Sequence, residues 1–280
     1  MPKKIVQIHD AVSDPVQDLS TYRALPTRSI PSLDPFLLIN HHGYQEYPAN
    51  NNGLPFGPHP HRGFETLTFI FDSEVVHKDS TGQEFTSGKG GAQWMTAGSG
   101  IIHSEVSSEK FKREGGPLEV IQLWMNLPKR LKWTDPWYSG FTPEDILTIE
   151  EKGSKWNIIS GEVNGKKGPV DSLTGLMMSN LELEGGASFT HTPPSESSIL
   201  LYVVRGEAEI NGRIVSKRKL IEFEADSEGE IMIQAKEDSL LLYCYGNALK
   251  EPVASYGPFV MNTQQEIQQA IHDYQNGKFK

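Results

Sequence analysis

Two histidines stand one residue apart in FGPHPHRGFETLTFIFD, at His59 and His61, and a second pair of metal-ligand type, His103 and Glu105, stands in TAGSGIIHSEV. In an extended strand residues two apart share a face, so each pair projects together, and Glu65 joins the first pair if the strand from 60 to 76 is regular. Three imidazoles and one carboxylate suit a divalent first-row ion: iron, nickel, manganese, copper or zinc. Four protein ligands leave open positions on a six-coordinate ion, the requirement for chemistry as opposed to a closed structural site. Gly98 and Gly100 lie just before His103 and allow the tight turn that aims it inward.

Bringing the two pairs together requires a fold that returns distant strands to one place. The 280 residues carry 26 Gly and 18 Pro scattered between short apolar runs, the punctuation of an all-β chain. Strand-like runs are FLLIN (36–40), EVVHKD (74–79), GAQWMTA (91–97) and LEVIQLWMNL (118–127), followed by a second series from WNIISGEV to SLLLYCYG. Between the series, KRLKWTDPWYSGFTPEDI reads as a connection. Residues 1–130 are thus expected to form one barrel, 131–155 a connection and 156–280 a second barrel. A helix over 263–276 closes the chain, capped by Thr263 with Glu266 three residues on and stopped by Gly277. The frame Gly-x5-His recurs, with Gly53 and His59 answering Gly185 and His191, which suggests an internal duplication.

Composition narrows the function. The formal net charge of −10 argues against a nucleic-acid sleeve. The basic clusters Lys110, Lys112 and Arg113; Lys129, Arg130 and Lys132; and Lys217, Arg218 and Lys219 read as solvated loops. No run approaches the roughly 18 apolar residues of a membrane span, and no secretory signal follows MPKK. One cysteine, Cys244, excludes an intrachain disulfide and points to a reducing compartment, cytoplasmic or, in a eukaryote, nuclear. Among the remaining candidates, Glu65 is expected to orient a ligand histidine or pair with Arg62. Arg62 should point away from the metal into an ion pair. His41 and His42 are expected on opposite faces in loop or rim positions, and His77, before a turn, exposed. Trp94, Met95, Phe56 and Phe69 read as core or pocket lining.

Gly53-x5-His59-x-His61-x3-Glu65 resembles the first motif of the cupin superfamily, apart from Asp72 where that motif ends in glycine; the stretch from Gly91 to His103 loosely follows the second. More narrowly, HPHRGFET, QWMTAGSGIIHSE, QLWMNLP and YGPFVMNTQQEI, in order along the chain, resemble the pirin family. The resemblance implies two tandem cupin barrels (double-stranded β-helix, jelly-roll) with a short C-terminal helix. It implies a non-haem Fe(II) held by His59, His61, His103 and Glu105 in the first barrel, with Glu65 outside the ligand set. The second barrel, with Pro193 in place of the second histidine, is expected to hold no metal. The implied activity is a quercetin-type flavonol 2,3-dioxygenase with Glu105 as proton acceptor. The alternative is a regulatory protein whose iron oxidation state tunes binding to protein partners. A sugar-handling cupin fits less well, because Phe, Trp, Met and Ile flank the ligands.

Overall fold

The computed structural model describes residues 1–279 and divides them into two compact units, neither of which is continuous in sequence. One comprises Ser13–Arg23, Phe36–Pro143 and 249–279; the other comprises Met1–Val12, Ala24–Pro35 and Glu144–Ala248. No helix among the described residues is long and apolar enough to cross a membrane.

In the unit built on Phe36–Pro143, five strands run in the order Trp137–Phe141, Ala92–Thr96, Phe64–Asp72, Gly116–Asn126, Phe36–Tyr47 within one antiparallel sheet. A second sheet runs Phe56–His61, Ile101–Val106, Val75–Asp79, Glu84–Ser87. Alternation dictates what lies between them: Ile70, Leu118 and Val120 of the first sheet pack with Val75 of the second, and Met95 packs with Ile101. Trp137–Phe141 pairs with Ala92–Thr96, so the Pro-rich segment expected to be a bare connection supplies a strand instead. Its two exposed tryptophans, Trp133 and Trp137, are what gave it the look of a loop.

The other unit repeats this plan. Its four-stranded sheet runs Ser188–His191, Ile231–Ala235, Glu207–Ile210, Arg213–Ser216, the same sequence-order pattern as the four-stranded sheet above. The larger sheet includes Ser197–Arg205, Ser239–Asn247 and Met178–Leu183, and its core is aliphatic: Leu181, Leu201, Val203, Ile221 and Leu241 are sealed from solvent. Both units are therefore two-sheet antiparallel barrels, and the repeated Gly-x5-His frame falls at the same place in each.

The helix Gln264–Gln275 forms as its caps require. The Thr263 hydroxyl accepts from the Glu266 amide, the Glu266 carboxylate accepts from the Thr263 amide, and Gly277 follows at φ +67°. Ile267 and Ala270 are buried with Phe259, Met261 and Phe279. This helix belongs to the unit that holds the two ligand pairs rather than to the barrel that precedes it in sequence.

Candidate metal centre

The strands Phe56–His61 and Ile101–Val106 pair antiparallel with His59 opposite His103. That register makes neighbours of residues 44 apart in sequence. The ring centroids of His59, His61 and His103 lie 4.4 to 4.9 Å from one another, and one donor nitrogen from each falls within 4.8 Å of the other two. Gly98 (φ +49°) makes the turn before His103 as expected, and a side chain there would collide with the Thr134 carbonyl 2.2 Å away.

The hydrogen bonds of the triad leave its lone pairs free. His59 Nδ1 donates to the Gly57 carbonyl at 2.8 Å, which puts the lone pair on Nε2. His61 Nδ1 faces the Pro258 carbonyl at 3.4 Å, and its Nε2 is buried with no partner. Neither ring nitrogen of His103 has one. Orphaned buried nitrogens are costly and demand an explanation. Burial and the neighbouring His59 push the His61 pKa down to about 3, and burial with the other histidines holds His103 well below its ordinary value. Both rings are thus neutral at physiological pH, the ligating form. A divalent ion bound by the three imidazoles would partner the buried Nε2 of His61 and one ring nitrogen of His103 together, so the residues present fit such an ion.

Glu105 lies on the same strand face as His103 and is buried. Its two oxygens accept from the Thr68 hydroxyl at 2.8 Å and the Gln122 amide at 2.5 Å. It stands outside the group of donors mutually within 4.8 Å. Gln122 in turn accepts from the Trp124 indole at 3.0 Å, and the Trp124 ring lies 5.2 Å from that of His61. Gln122 and Trp124 stand two apart on the strand Gly116–Asn126, within QLWMNLP, yet only the fold reveals that their face looks at Glu105. A cavity of about 10 Å³ lined by His42, Phe56, Thr68, Glu105 and Gln122 opens beside the carboxylate, room for one water-sized molecule.

Several expectations need correction. Glu65 neither orients a ligand histidine nor pairs with Arg62: its Oε1 accepts from the Thr96 hydroxyl at 2.6 Å and the Trp94 indole at 3.2 Å. The strand breaks at Arg62–Gly63, with Gly63 at φ +89°, and the alternation restarts, which takes Glu65 off the ligand face. His77 is buried, not exposed; its Nε2 bonds Asp79 at 2.9 Å, its ring stacks on Tyr138 at 3.6 Å, and it lies 5.4 Å from His103. His41 and His42 are buried inside the long strand Phe36–Tyr47, bonded to Glu119 and Thr21, and are not on loops. Lys132 is fully buried, its ammonium donating to the carbonyls of Gly63 and Val260 and to Asn126.

Arg62 does enter an ion pair, and its partner explains how the C-terminal segment serves the site. Its Nη1 meets Asp273 on the terminal helix at 2.8 Å, its Nε donates to the Ser99 carbonyl, and its guanidinium lies over the rings of Trp133 and Phe279. Arg62 and Val260 also exchange backbone contact, with the Val260 amide donating to the Arg62 carbonyl at 3.0 Å. The residue next to His61 is thereby clamped. Burial pushes the Asp273 carboxyl up, but hydrogen bonds from Arg62, Lys278 and Gln269 outweigh it and hold it well below its ordinary 3.8. A carboxylate depressed in the folded state stabilises it above its unfolded pKa, so this contribution is complete above about pH 4 and fades only below it. Asp273→Asn will cost about 2–4 kcal/mol in denaturant unfolding, because it strands a buried guanidinium. Metal affinity, read by titration, should fall about ten-fold as His61 loosens.

Comparison with known proteins agrees with this construction. The Pirin family model matches residues 18–125 and the Pirin C-terminal cupin domain model matches residues 178–280. The chain belongs to the pirin family. A Pseudomonas aeruginosa relative whose name provisionally assigns it quercetin 2,3-dioxygenase activity is 36% identical over 267 residues, 95% of this chain and 92% of its own. Pirin-1 of Arabidopsis thaliana is 35% identical over 251 residues, 88% of this chain and 83% of its own. The crystal structure of a quercetin 2,3-dioxygenase from Acinetobacter baumannii superposes with a TM-score of 0.91 at 34% identity, covering 100% of this chain and 99% of that one. The bicupin pirin fold with a C-terminal helix follows, as does the presence in it of a three-histidine group able to bind a metal.

In the second barrel the same positions carry different chemistry. His191 pairs in register with Ile231, and Phe189 with Ile233, so isoleucines stand where His103 and Glu105 stand in the first. His191 Nδ1 shares a hydrogen bond with the Tyr243 hydroxyl at 2.8 Å instead of meeting other ligands.

Proposed function

We propose that the protein is a flavonol 2,3-dioxygenase of the quercetin type, with one Fe(II) held by His59, His61 and His103 and completed by Glu105. The observation that carries this reading is the set of buried, partnerless imidazole nitrogens beside a carboxylate held ready by two donors. When bound, the ion supplies open coordination positions where dioxygen and a chelating substrate oxygen can meet.

The chain's own residues do the rest. Glu105, fixed by Thr68 and Gln122, takes the proton of the substrate's 3-hydroxyl group, and those same donors stabilise it while it is charged. The cavity beside it has room for one water-sized molecule, and the flavonol approaches from the side of His59, the half-buried member of the triad. Phe64 and Trp124 pack against His61 and Phe56 lines the small cavity by Glu105, so the surroundings of the triad are apolar, which favours an aromatic substrate and thins the water around the reacting carbon. In the overall reaction both atoms of dioxygen enter the product as the heterocycle opens at two carbon–carbon bonds, and the carbon between them leaves as carbon monoxide.

Protein loaded anaerobically with iron and then mixed with quercetin and air should consume one dioxygen for each carbon monoxide released. Oxygen uptake that stays at the protein-free background with every flavonol tried would remove the dioxygenase reading.

A further inference from the structure

The second barrel carries a cavity of its own. It measures about 360 Å³, within the range of small-molecule sites, and opens at the end of the barrel marked by His191. Trp156, Phe189 and His191 form one wall, with Trp156 edge-on to Phe189 at 5.2 Å and to His191 at 5.0 Å. Glu151, Glu162 and Asn164 line the same space.

The charge of this lining has one sign. No lysine or arginine borders the cavity. His191 does not compensate, because burial lowers its pKa, and its Nδ1 is engaged with the Tyr243 hydroxyl. Glu162 meets Lys167 only at 3.9 Å, in an exposed and loosely held pair. Ile231, Ile233 and Pro193 stand where the first barrel has His103, Glu105 and His61, and His191 belongs to no group of three close ligand atoms among the described residues. Aromatic faces beside carboxylates attract a cation that is large, weakly hydrated and partly apolar. A small inorganic ion would keep its water shell, and an anionic or chelating flavonol would meet two like charges.

We propose that this cavity binds a compact organic cation, a methylated or protonated amine with an apolar body, independently of the metal centre in the first barrel. Choline is a suitable probe, since its ammonium nitrogen has no lone pair to offer the three imidazoles. Its neutral carbon analogue, 3,3-dimethylbutan-1-ol, has the same shape without the charge. The full chain, labelled with nitrogen-15, is titrated with each, following the Trp156 indole resonance, assigned by its loss in Trp156→Phe. Choline should shift that resonance saturably and bind about ten-fold or more tightly than the neutral analogue. Glu151→Gln combined with Glu162→Gln, both exposed and tolerant sites, should weaken choline by about five-fold, leaving the neutral analogue unchanged. His61→Ala should leave choline binding intact. Equal affinity for the two probes, absence of a saturable shift up to their solubility limits, or undiminished choline binding in the double glutamine variant would overturn the proposal.

Discussion

Alanine at position 61 will strip the protein of its metal and leave the barrel folded. His61 contributes one of three imidazoles whose donor atoms lie within 4.8 Å of one another, so its loss leaves a two-histidine remnant. In structural zinc sites about 10–16 kcal/mol is shared over four ligands, near two to three decades in affinity for each, and the loss of one of them is a comparable handicap for Fe(II). The cost to the metal-free fold should be small, within about 2 kcal/mol. Packing is lost, but so is a buried Nε2 that has no hydrogen-bond partner and whose burial is itself unfavourable. Two thermal melts, with and without added Fe(II), separate these effects. The parent protein should melt higher when loaded, and the variant should melt at the same temperature in both conditions. A variant that no longer folds would make the metal, or the imidazole itself, structural.

Glu105→Gln should be the more damaging change for turnover. The glutamine keeps the size of the side chain and can still face Thr68 and Gln122, but it cannot take a proton at neutral pH. Loss of a general base typically costs about 10²- to 10⁴-fold, so flavonol-dependent oxygen uptake per iron bound should drop by that amount in protein held at saturating Fe(II). Retention of turnover within about ten-fold would take the base role away from Glu105. Loss of both iron and activity would instead mark the carboxylate chiefly as a ligand.

What could be read from the chain alone divides by the range of the interaction that decides it. His59 and His61, and His103 with Glu105, were legible because a two-residue spacing fixes a shared face wherever a strand is regular. The terminal helix was legible for the same reason: its capping box is complete within four residues. Alternation carries Glu65 onto the ligand face only if the strand is unbroken, and Gly63, whose added Cβ would meet the Val260 carbonyl at 2.0 Å, shows why it cannot be. That carbonyl comes from nearly 200 residues away, and no local pattern announces it. His77 misled for a similar cause. It stands close to a turn, yet Tyr138, from a segment that reads as a linker, lies flat on its ring. The burial of Lys132 likewise depends on carbonyls at Gly63 and Val260. What local pattern leaves hidden is long-range: the face of Thr68, Gln122 and Trp124 turned to Glu105, and the contacts that the C-terminal segment and the strand Trp137–Phe141 bring to the first barrel.

The most direct measurement is diffraction from crystals grown with Fe(II) under anaerobic conditions, with data collected on both sides of the iron absorption edge. One anomalous peak enclosed by the Nε2 atom of His59, the Nε2 atom of His61 and a ring nitrogen of His103 is the expected result. Iron bound elsewhere, or the three rings turned apart around an empty space in protein that had been offered the metal, would contradict it.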